Sequence, residues 1–231
     1  MSKAATPSSD LAGLIDHTIL KPEASRADVA RHCEEALAFG FASVCVNPVH
    51  AGFVAGLLSG SQVKTCAVLG FPLGAGGAWI KAEEAAWLVS EGADELDMVL
   101  DIGALIEGDL DRVRADMAAV RAASEGRILK VILETCLLND EQTIAACRIA
   151  AETGLDFVKT STGFSTGGAT VEDVALMRRI VGPTIGVKAS GGIRTSRIAR
   201  AMVAAGASRI GASASVAIVS AGDETAGGSG Y

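Results

Sequence analysis

The sequence has few of the residues that build metal, disulfide or membrane sites. Its five cysteines are odd in number and form no CxxC pair, and its three histidines stand apart from one another. No segment reaches the roughly 18 to 20 uncharged apolar residues of a membrane span, and the first ten residues lack the apolar stretch of a signal peptide. We therefore expect a cytoplasmic protein in a reducing setting, with no bound metal, no cofactor and no membrane association.

Basic charge is also scarce. The formal net charge is −7 and the isoelectric point is near 5.0, so the chain lacks the basic face that nucleic acids and anionic membranes attract. Nucleic-acid binding is excluded as a general function. Any phosphate that binds must be held by a local arrangement of donors.

Short apolar runs alternate with longer amphipathic segments along the 231 residues. The eight runs are LIDHT, ASVCV, KTCAVLG, ELDMVL, LKVILE, DFVKT, IGVKA and SRIGA. Strands separated by helices pair in parallel, and eight such units close into a barrel. The sequence predicts one domain over residues 1–231, a (β/α)8 TIM barrel, with an open doubly wound sheet as the alternative.

Six segments between these runs have the period of amphipathic helices. They are 25–39, 78–90, 110–123, 140–153, 171–181 and 196–205. Ser25, Asn139, Thr170 and Thr195 are predicted to cap four of them. Gly40, Gly92, Gly154 and Gly206 each follow a helical stretch, where a glycine ends a helix.

The tail from about residue 221 is rich in glycine and serine and ends in Tyr231, the only tyrosine of the chain. Its composition predicts a flexible segment. A flexible tether could bring the phenol of Tyr231 to the mouth of the barrel, where it could relay protons.

Two late strands each place a lysine at their carboxyl end, Lys159 in VKTSTG and Lys188 in VKASGG. Active sites of barrels form at this face. Two neighbouring ammonium groups disfavour each other, so we expect one of them to become a neutral amine that can form an imine with a carbonyl. Lys64 and Lys130 stand near the starts of their strands and are interpreted as structural.

Two carboxylates interrupt apolar strands, Asp16 in the first and Asp97 in the fourth. Each is either an ion-pair partner of a barrel lysine or part of the catalytic machinery, and the two roles are compatible because ion pairs tune pKa values. Asp94, Asp101 and Glu134 are assigned to rims or supporting positions.

Glycine-rich turns follow the last three strands: STGFSTGG, SGGIRT and GASAS. Such turns present backbone N–H groups to an anion, and the loops after the last two barrel strands often bind phosphate. The residues predicted to bind phosphate are Gly163, Gly191, Gly192, Gly211 and Ser213.

The segments IDHTILKP, SVCVNP, GFPLG, ELDMVLDIG, KVILETCLL, DFVKTSTGF, GVKASGGIRT and RIGAS resemble the deoxyribose-phosphate aldolase family. The resemblance spans nearly the whole chain. It implies a metal-free aldolase that reversibly cleaves 2-deoxy-D-ribose 5-phosphate to acetaldehyde and D-glyceraldehyde 3-phosphate.

Carried over by motif, the resemblance implies that Lys159 forms the Schiff base and that Lys188 favours its neutral amine. It implies that Asp97 donates and accepts protons and that Asp16 supports the lysine network. Two positions differ from some relatives. Phe164 follows Gly163 where those relatives have a lysine, and Ala214 follows Ser213 where they have a second serine. Both differences bear on phosphate affinity.

Two other functions stay open at this point. One is a different phosphate-binding barrel enzyme, such as a transaldolase-like enzyme or an isomerase, and the other is a barrel that only binds a sugar phosphate. The expected partners are small sugar phosphates and aldehydes. The sequence does not decide whether the chain forms a homo-oligomer.

Overall fold

The eight strands pair in sequence order and in parallel, and β8 closes on β1 to form a barrel. The computed structural model describes residues 9–220. The strands are β1 (Ile15–Ile19), β2 (Ser43–Val46), β3 (Lys64–Leu69), β4 (Glu95–Val99), β5 (Ile128–Ile132), β6 (Phe157–Lys159), β7 (Gly186–Ser190) and β8 (Arg209–Ala212). The predicted TIM barrel is confirmed, and the doubly wound alternative is wrong.

Helices connect the strands and cover the outside of the barrel. They are α1 (Ser9–Ala12), α2 (Arg26–Phe39), α3 (Ala51–Leu58), α4 (Ala78–Ser90), α5 (Ile102–Glu107), α6 (Leu110–Ala123), α7 (Asp140–Glu152), α8 (Val171–Val181), α9 (Ser196–Ala204) and α10 (Ser215–Ser220). Short 3-10 turns occupy Pro48–His50 and Thr135–Leu137. No helix in residues 9–220 is long and apolar enough to cross a membrane.

The predicted helix signals coincide with the observed ends. The side chains of Ser25, Asn139, Thr170 and Thr195 each accept a hydrogen bond from a backbone N–H in the first turn of the helix that follows. The four glycines predicted to end helices, Gly40, Gly92, Gly154 and Gly206, all have positive φ. These signals fix where each helix turns back towards the barrel.

The buried apolar side chains form two separate clusters. Most buried apolar side chains lie in one large cluster, which includes residues of the strands and of the surrounding helices. A small second cluster contains Leu20, Cys45, Cys66 and Val68. The inside of the barrel is otherwise occupied by buried charged side chains, where many barrels carry layers of Val, Ile and Leu.

Candidate active site

Lys159 and Lys188 lie side by side at the carboxyl ends of their strands. They are paired in register across β6 and β7, and both side chains are buried. Each ammonium group donates to Oδ2 of Asp97, Lys159 at 2.7 Å and Lys188 at 2.6 Å. The structure thus brings together the two lysines and the carboxylate that the sequence singled out.

Asp16 joins the same cluster from β1. Its carboxylate pairs with Lys188 and accepts a hydrogen bond from Arg209 at 2.6 Å. Arg209 in turn donates to Glu95, and Glu95 pairs with Lys130 at 2.6 Å. Lys130 also donates a hydrogen bond to Oδ1 of Asp97 at 2.7 Å, which closes this series of contacts.

These contacts form a closed ring of six alternating charges inside the barrel. In order around the ring the members are Lys188, Asp16, Arg209, Glu95, Lys130 and Asp97. Three cations and three carboxylates make the ring neutral. Lys159, which contacts only Asp97 among these carboxylates, is the one additional cation.

Ion pairing outweighs burial at every ring residue for which a pKa shift is resolved. Burial opposes the charged form of Asp97, yet Lys130, Lys159 and Lys188 hold the pKa of Asp97 well below its usual range. Burial likewise opposes the charged form of Lys188, but Asp16 and Asp97 raise the pKa of Lys188 above its usual value. Lys188 therefore stays an ammonium, because the two carboxylates outweigh burial and the like charge of Lys130.

Lys130, which the sequence pattern predicts to be structural, is a member of the charged ring. It lies in the middle of β5, paired in register with Asp97, and it is completely buried. Burial opposes its charge, and Asp97 leads the groups that raise the pKa of Lys130 well above its usual value. Glu95 is an additional ring residue that no sequence motif indicated. It lies two residues before Asp97, and this period of two is the signal that both face inward.

A cleft of about 660 Å³ opens above the ring, at the carboxyl ends of the strands. Lys159 lines it, whereas Lys188, Asp97 and Asp16 lie below. All five residues predicted to bind phosphate line the same cleft: Gly163, Gly191, Gly192, Gly211 and Ser213. The predicted amine and the predicted phosphate loops therefore face one cavity.

Several backbone donors of the cleft are unused. Within the described part of the chain, the N–H groups of Gly163, Gly191, Gly192 and Ser213 have no hydrogen-bond acceptor. Gly211 has a different reason to be glycine, since an added Cβ would lie 3.0 Å from Cβ of Ser190 and 3.1 Å from Cε of Lys188. Free N–H groups are available to an anion, while Gly211 leaves room for the ring lysine beneath it.

Cations also reach the cleft, although Phe164 stands where some relatives have a lysine. Lys21 and Arg194 line it, and in the region covered by the structure neither makes an ion pair with a carboxylate. Phe164 itself packs edge-on against Phe71, with 5.2 Å between ring centroids. Arg194 belongs to the SGGIRT turn and can supply positive charge to that end of the cleft.

Among residues 9–220, three groups of side chains have ligand atoms close enough to be considered for a metal. Two of them, Cys45 with Cys66 and Asp97, and Asp16 with Cys66 and Glu95, overlap the charged ring. Their carboxylates already pair with cations, which repel a metal ion. The residues of the ring therefore favour an internal ion network over metal coordination.

The third group is His17, His32 and Glu35, between β1 and α2. The two histidines, which stand apart in the sequence, are stacked at 4.3 Å with 18° between their planes. One ring nitrogen of each histidine is already engaged within the protein, Nε2 of His17 with Glu35 and Nδ1 of His32 with the backbone oxygen of Asp28. The group is better described as a packed histidine pair in which His17 hydrogen-bonds Glu35 at 2.8 Å.

Comparisons with known proteins agree with this geometry. Residues 11–222 match the model of the DeoC/LacD family aldolases. A deoxyribose-phosphate aldolase of Brevibacillus brevis is 56% identical over 217 residues, which cover 94% of this chain and 97% of the relative. Another from Rhodospirillum rubrum is 57% identical over 214 residues, covering 93% and 90%.

Solved structures give the same result. The tetrameric structure of deoxyribose phosphate aldolase from Aeropyrum pernix is 37% identical, with a TM-score of 0.85 over 91% of this chain and 89% of that one. A protein described as QR15, an aldolase, is 38% identical with a TM-score of 0.87 over 90% and 94%. Sequence and structure thus match the same kind of enzyme along nearly the whole chain.

Proposed function

The chain belongs to the DeoC/LacD aldolase family, and we propose that it works through an imine formed at Lys159. Its activity is that of a deoxyribose-phosphate aldolase, a carbon–carbon lyase. It reversibly cleaves 2-deoxy-D-ribose 5-phosphate to acetaldehyde and D-glyceraldehyde 3-phosphate. The transaldolase-like, isomerase and binding-only alternatives are not favoured.

The charge balance of the ring is the observation that carries the assignment to Lys159. The six ring residues are neutral without it, so a protonated Lys159 leaves one uncompensated positive charge in a buried site. Lys159 is also the lysine that lines the cleft. The lysine outside the neutral ring is therefore the one that a substrate can reach.

In the proposed reaction, the amine of Lys159 adds to the C1 aldehyde of the open-chain substrate, and loss of water gives an iminium. The C2–C3 bond then breaks and its electron pair enters the iminium, leaving an enamine. The proton of the C3 hydroxyl is removed in the same step, and C3 becomes the aldehyde of glyceraldehyde 3-phosphate. Protonation of the enamine at C2 and hydrolysis of the imine release acetaldehyde and restore the lysine.

We assign the proton transfers to the groups that contact Lys159. Asp97 is ionised and its carboxylate contacts the amine of Lys159, so it is placed to accept a proton. The ammonium of Lys188, which donates to the same oxygen, is placed to supply one. Asp16 holds Lys188 from the other side and so acts as a positioning residue. The iminium serves as the electron sink, which is the task of a metal Lewis acid in other aldolases.

The phosphate of the substrate is proposed to bind the free N–H groups of Gly163, Gly191, Gly192 and Ser213. Arg194 supplies positive charge beside them. Gly211 serves this site indirectly, through the space that it leaves for Lys188. The C5 phosphate would thus lie at the loops while C1 reaches Lys159.

The test is to trap the imine. The protein is incubated with acetaldehyde, reduced with borohydride and analysed by peptide mass spectrometry. We expect a mass increase at Lys159. An adduct at Lys188, or none while the enzyme still turns over, would contradict the assignment.

Assembly and location remain proposals as well. Trp79 and Trp87 lie on α4 with 72% and 45% of their surface exposed, so they do not pack against the barrel. We propose that this face contacts another copy of the chain in a cytoplasmic homo-oligomer. Sedimentation of the wild type and of a Trp79→Ala, Trp87→Ala variant would test it, and an unchanged mass would contradict it.

A further inference from the structure

Glu134 adopts a backbone conformation that side chains rarely take. It follows β5 with φ of 58° and ψ of 60°, and it is the one non-glycine residue with positive φ in residues 9–220. Holding a non-glycine residue in this conformation costs free energy. Such a conformation persists when the contacts of the side chain require it.

The carboxylate of Glu134 accepts its N–H and O–H hydrogen bonds from Thr162, which lies three positions after Lys159, and the thiol of Cys136 lies 4.0 Å from its Oε1. The carboxylate accepts the backbone N–H of Thr162 at 3.2 Å on Oε1 and the hydroxyl of Thr162 on Oε2. Glu134 and Thr162 are both buried. The two oxygens of one carboxylate thus hold both donors of one threonine.

The hydrogen bonds continue from Thr162 into the turn that lines the cleft. The oxygen of the Thr162 hydroxyl accepts the backbone N–H of Phe164 at 3.0 Å. Gly163, between them, has φ of 85° and an unused N–H. These hydrogen bonds therefore hold both neighbours of Gly163, Thr162 and Phe164, in place and leave the N–H of Gly163 free.

From this arrangement we infer that Glu134 is a specificity-determining residue, which positions the Thr162–Phe164 turn so that Gly163 can bind the phosphate of the substrate. The inference rests on the proposed phosphate site and adds a residue that does not touch the substrate. It explains why the strained conformation of Glu134 lies beside this turn.

Electrostatics exclude a direct attraction between Glu134 and the phosphate. A carboxylate repels a phosphate, and burial strengthens that repulsion. The benefit of a carboxylate here is geometric, because it offers acceptors to an N–H and an O–H at once. A glutamine offers one oxygen, and its NH2 group would face donors of Thr162.

The experiment compares 2-deoxyribose 5-phosphate with unphosphorylated 2-deoxyribose as substrates. We expect Glu134→Gln and Thr162→Val to lower the ratio of the two kcat/KM values by about tenfold or more, as expected when a hydrogen bond to a charged group is lost. Thr162→Ser keeps the hydroxyl and should retain the ratio of the wild type. Asp173→Asn is the matched control, because Asp173 bonds Thr135 at 3.0 Å and does not contact Thr162.

Circular dichroism and imine trapping with acetaldehyde on the same variants separate the possible failures. Folded Glu134→Gln and Thr162→Val proteins that trap the imine yet keep the ratio of the wild type would overturn this inference and leave the imine mechanism intact. An equal fall with Asp173→Asn would also overturn it, since the effect would then be a general loosening of the rim. A wild type that traps no imine would instead reject the proposed mechanism.

Discussion

Lys159 and Lys188 are paired in register and donate to the same oxygen of Asp97. Only Lys188 also pairs with Asp16. Lys188 is therefore held between two carboxylates as part of a neutral ring, and Lys159 shares one carboxylate at the edge of the cleft. Because their ion pairs differ, the two lysines have different roles, and we expect different effects when each is replaced.

Replacing Lys159 should remove the covalent step. We expect Lys159→Arg to abolish imine trapping and to lower kcat by several orders of magnitude, because a guanidinium stays charged and cannot form the electron sink. Trapping and steady-state kinetics measure both effects. Lys64→Arg is the matched control, because Lys64 is exposed at the start of β3 and should leave kcat unchanged.

Replacing Lys188 should move the pH profile. Lys188→Leu removes one cation from the ring, so a protonated Lys159 then balances the three carboxylates, and the neutral amine is disfavoured. We expect the acid side of the kcat/KM profile to shift to higher pH, with residual imine trapping at alkaline pH. An unchanged profile with a full loss of rate would show that Lys188 acts mainly in proton transfer.

Replacing Glu95 should shift the profile in the opposite direction. Glu95→Gln removes one anion from the ring, which adds to the surplus positive charge and favours the neutral amine of Lys159. The acid side of the profile should move to lower pH, although breaking a buried pair costs about 3 to 5 kcal/mol of stability. Folding is checked first by urea denaturation, and a shift to higher pH would contradict the role assigned to the ring.

The sequence predicts the barrel, most helix ends and the central residues of the site, because each depends on local pattern. Helix α3 was missed because its eight residues, AGFVAGLL, show no polar face. The ring could not be predicted, since its contacts depend on closure of the barrel. Arg209 of β8 reaches Asp16 on the adjacent β1 and Glu95 on β4, and no spacing along the chain indicates these contacts.

The roles of the glycines show the same limit. Gly163 and Gly211 both lie in glycine-containing segments at the carboxyl ends of late strands, and the sequence predicts the same phosphate-binding role for both. In the structure one has a free N–H and the other makes room for Lys188. The predicted role of Tyr231 lies outside the described residues and stays a prediction.

Activity should not require a divalent cation. The iminium supplies the electron sink, so we expect kcat to be unchanged after prolonged dialysis against EDTA. Atomic emission analysis of the same sample verifies that metals were removed. A loss of activity that zinc or cobalt restores would revive a metal-dependent mechanism and reject the one proposed.

Acid should destabilise the fold through His17, away from the reacting groups. Burial lowers the pKa of His17 to about 4, and its hydrogen bond to Glu35 offsets this effect only in part. The unfolded chain takes up a proton near pH 6.5, whereas the folded one does so only near the lowered value. The contribution of neutral His17 to the free energy of unfolding is therefore fully present above about pH 6.5. It falls as the pH decreases towards 4, by about 1.4 kcal/mol per pH unit.

Urea denaturation of the wild type, His17→Gln and His50→Gln at pH 7 and pH 5 tests this dependence. His17→Gln should lose less stability between the two pH values than the wild type does, by about 2 kcal/mol, because no imidazole remains to take up a proton on unfolding. His50 ends the short turn Pro48–His50 and is only half-buried, and its replacement should retain the slope of the wild type. Equal slopes for His17→Gln and the wild type would show that other groups cause the loss in acid.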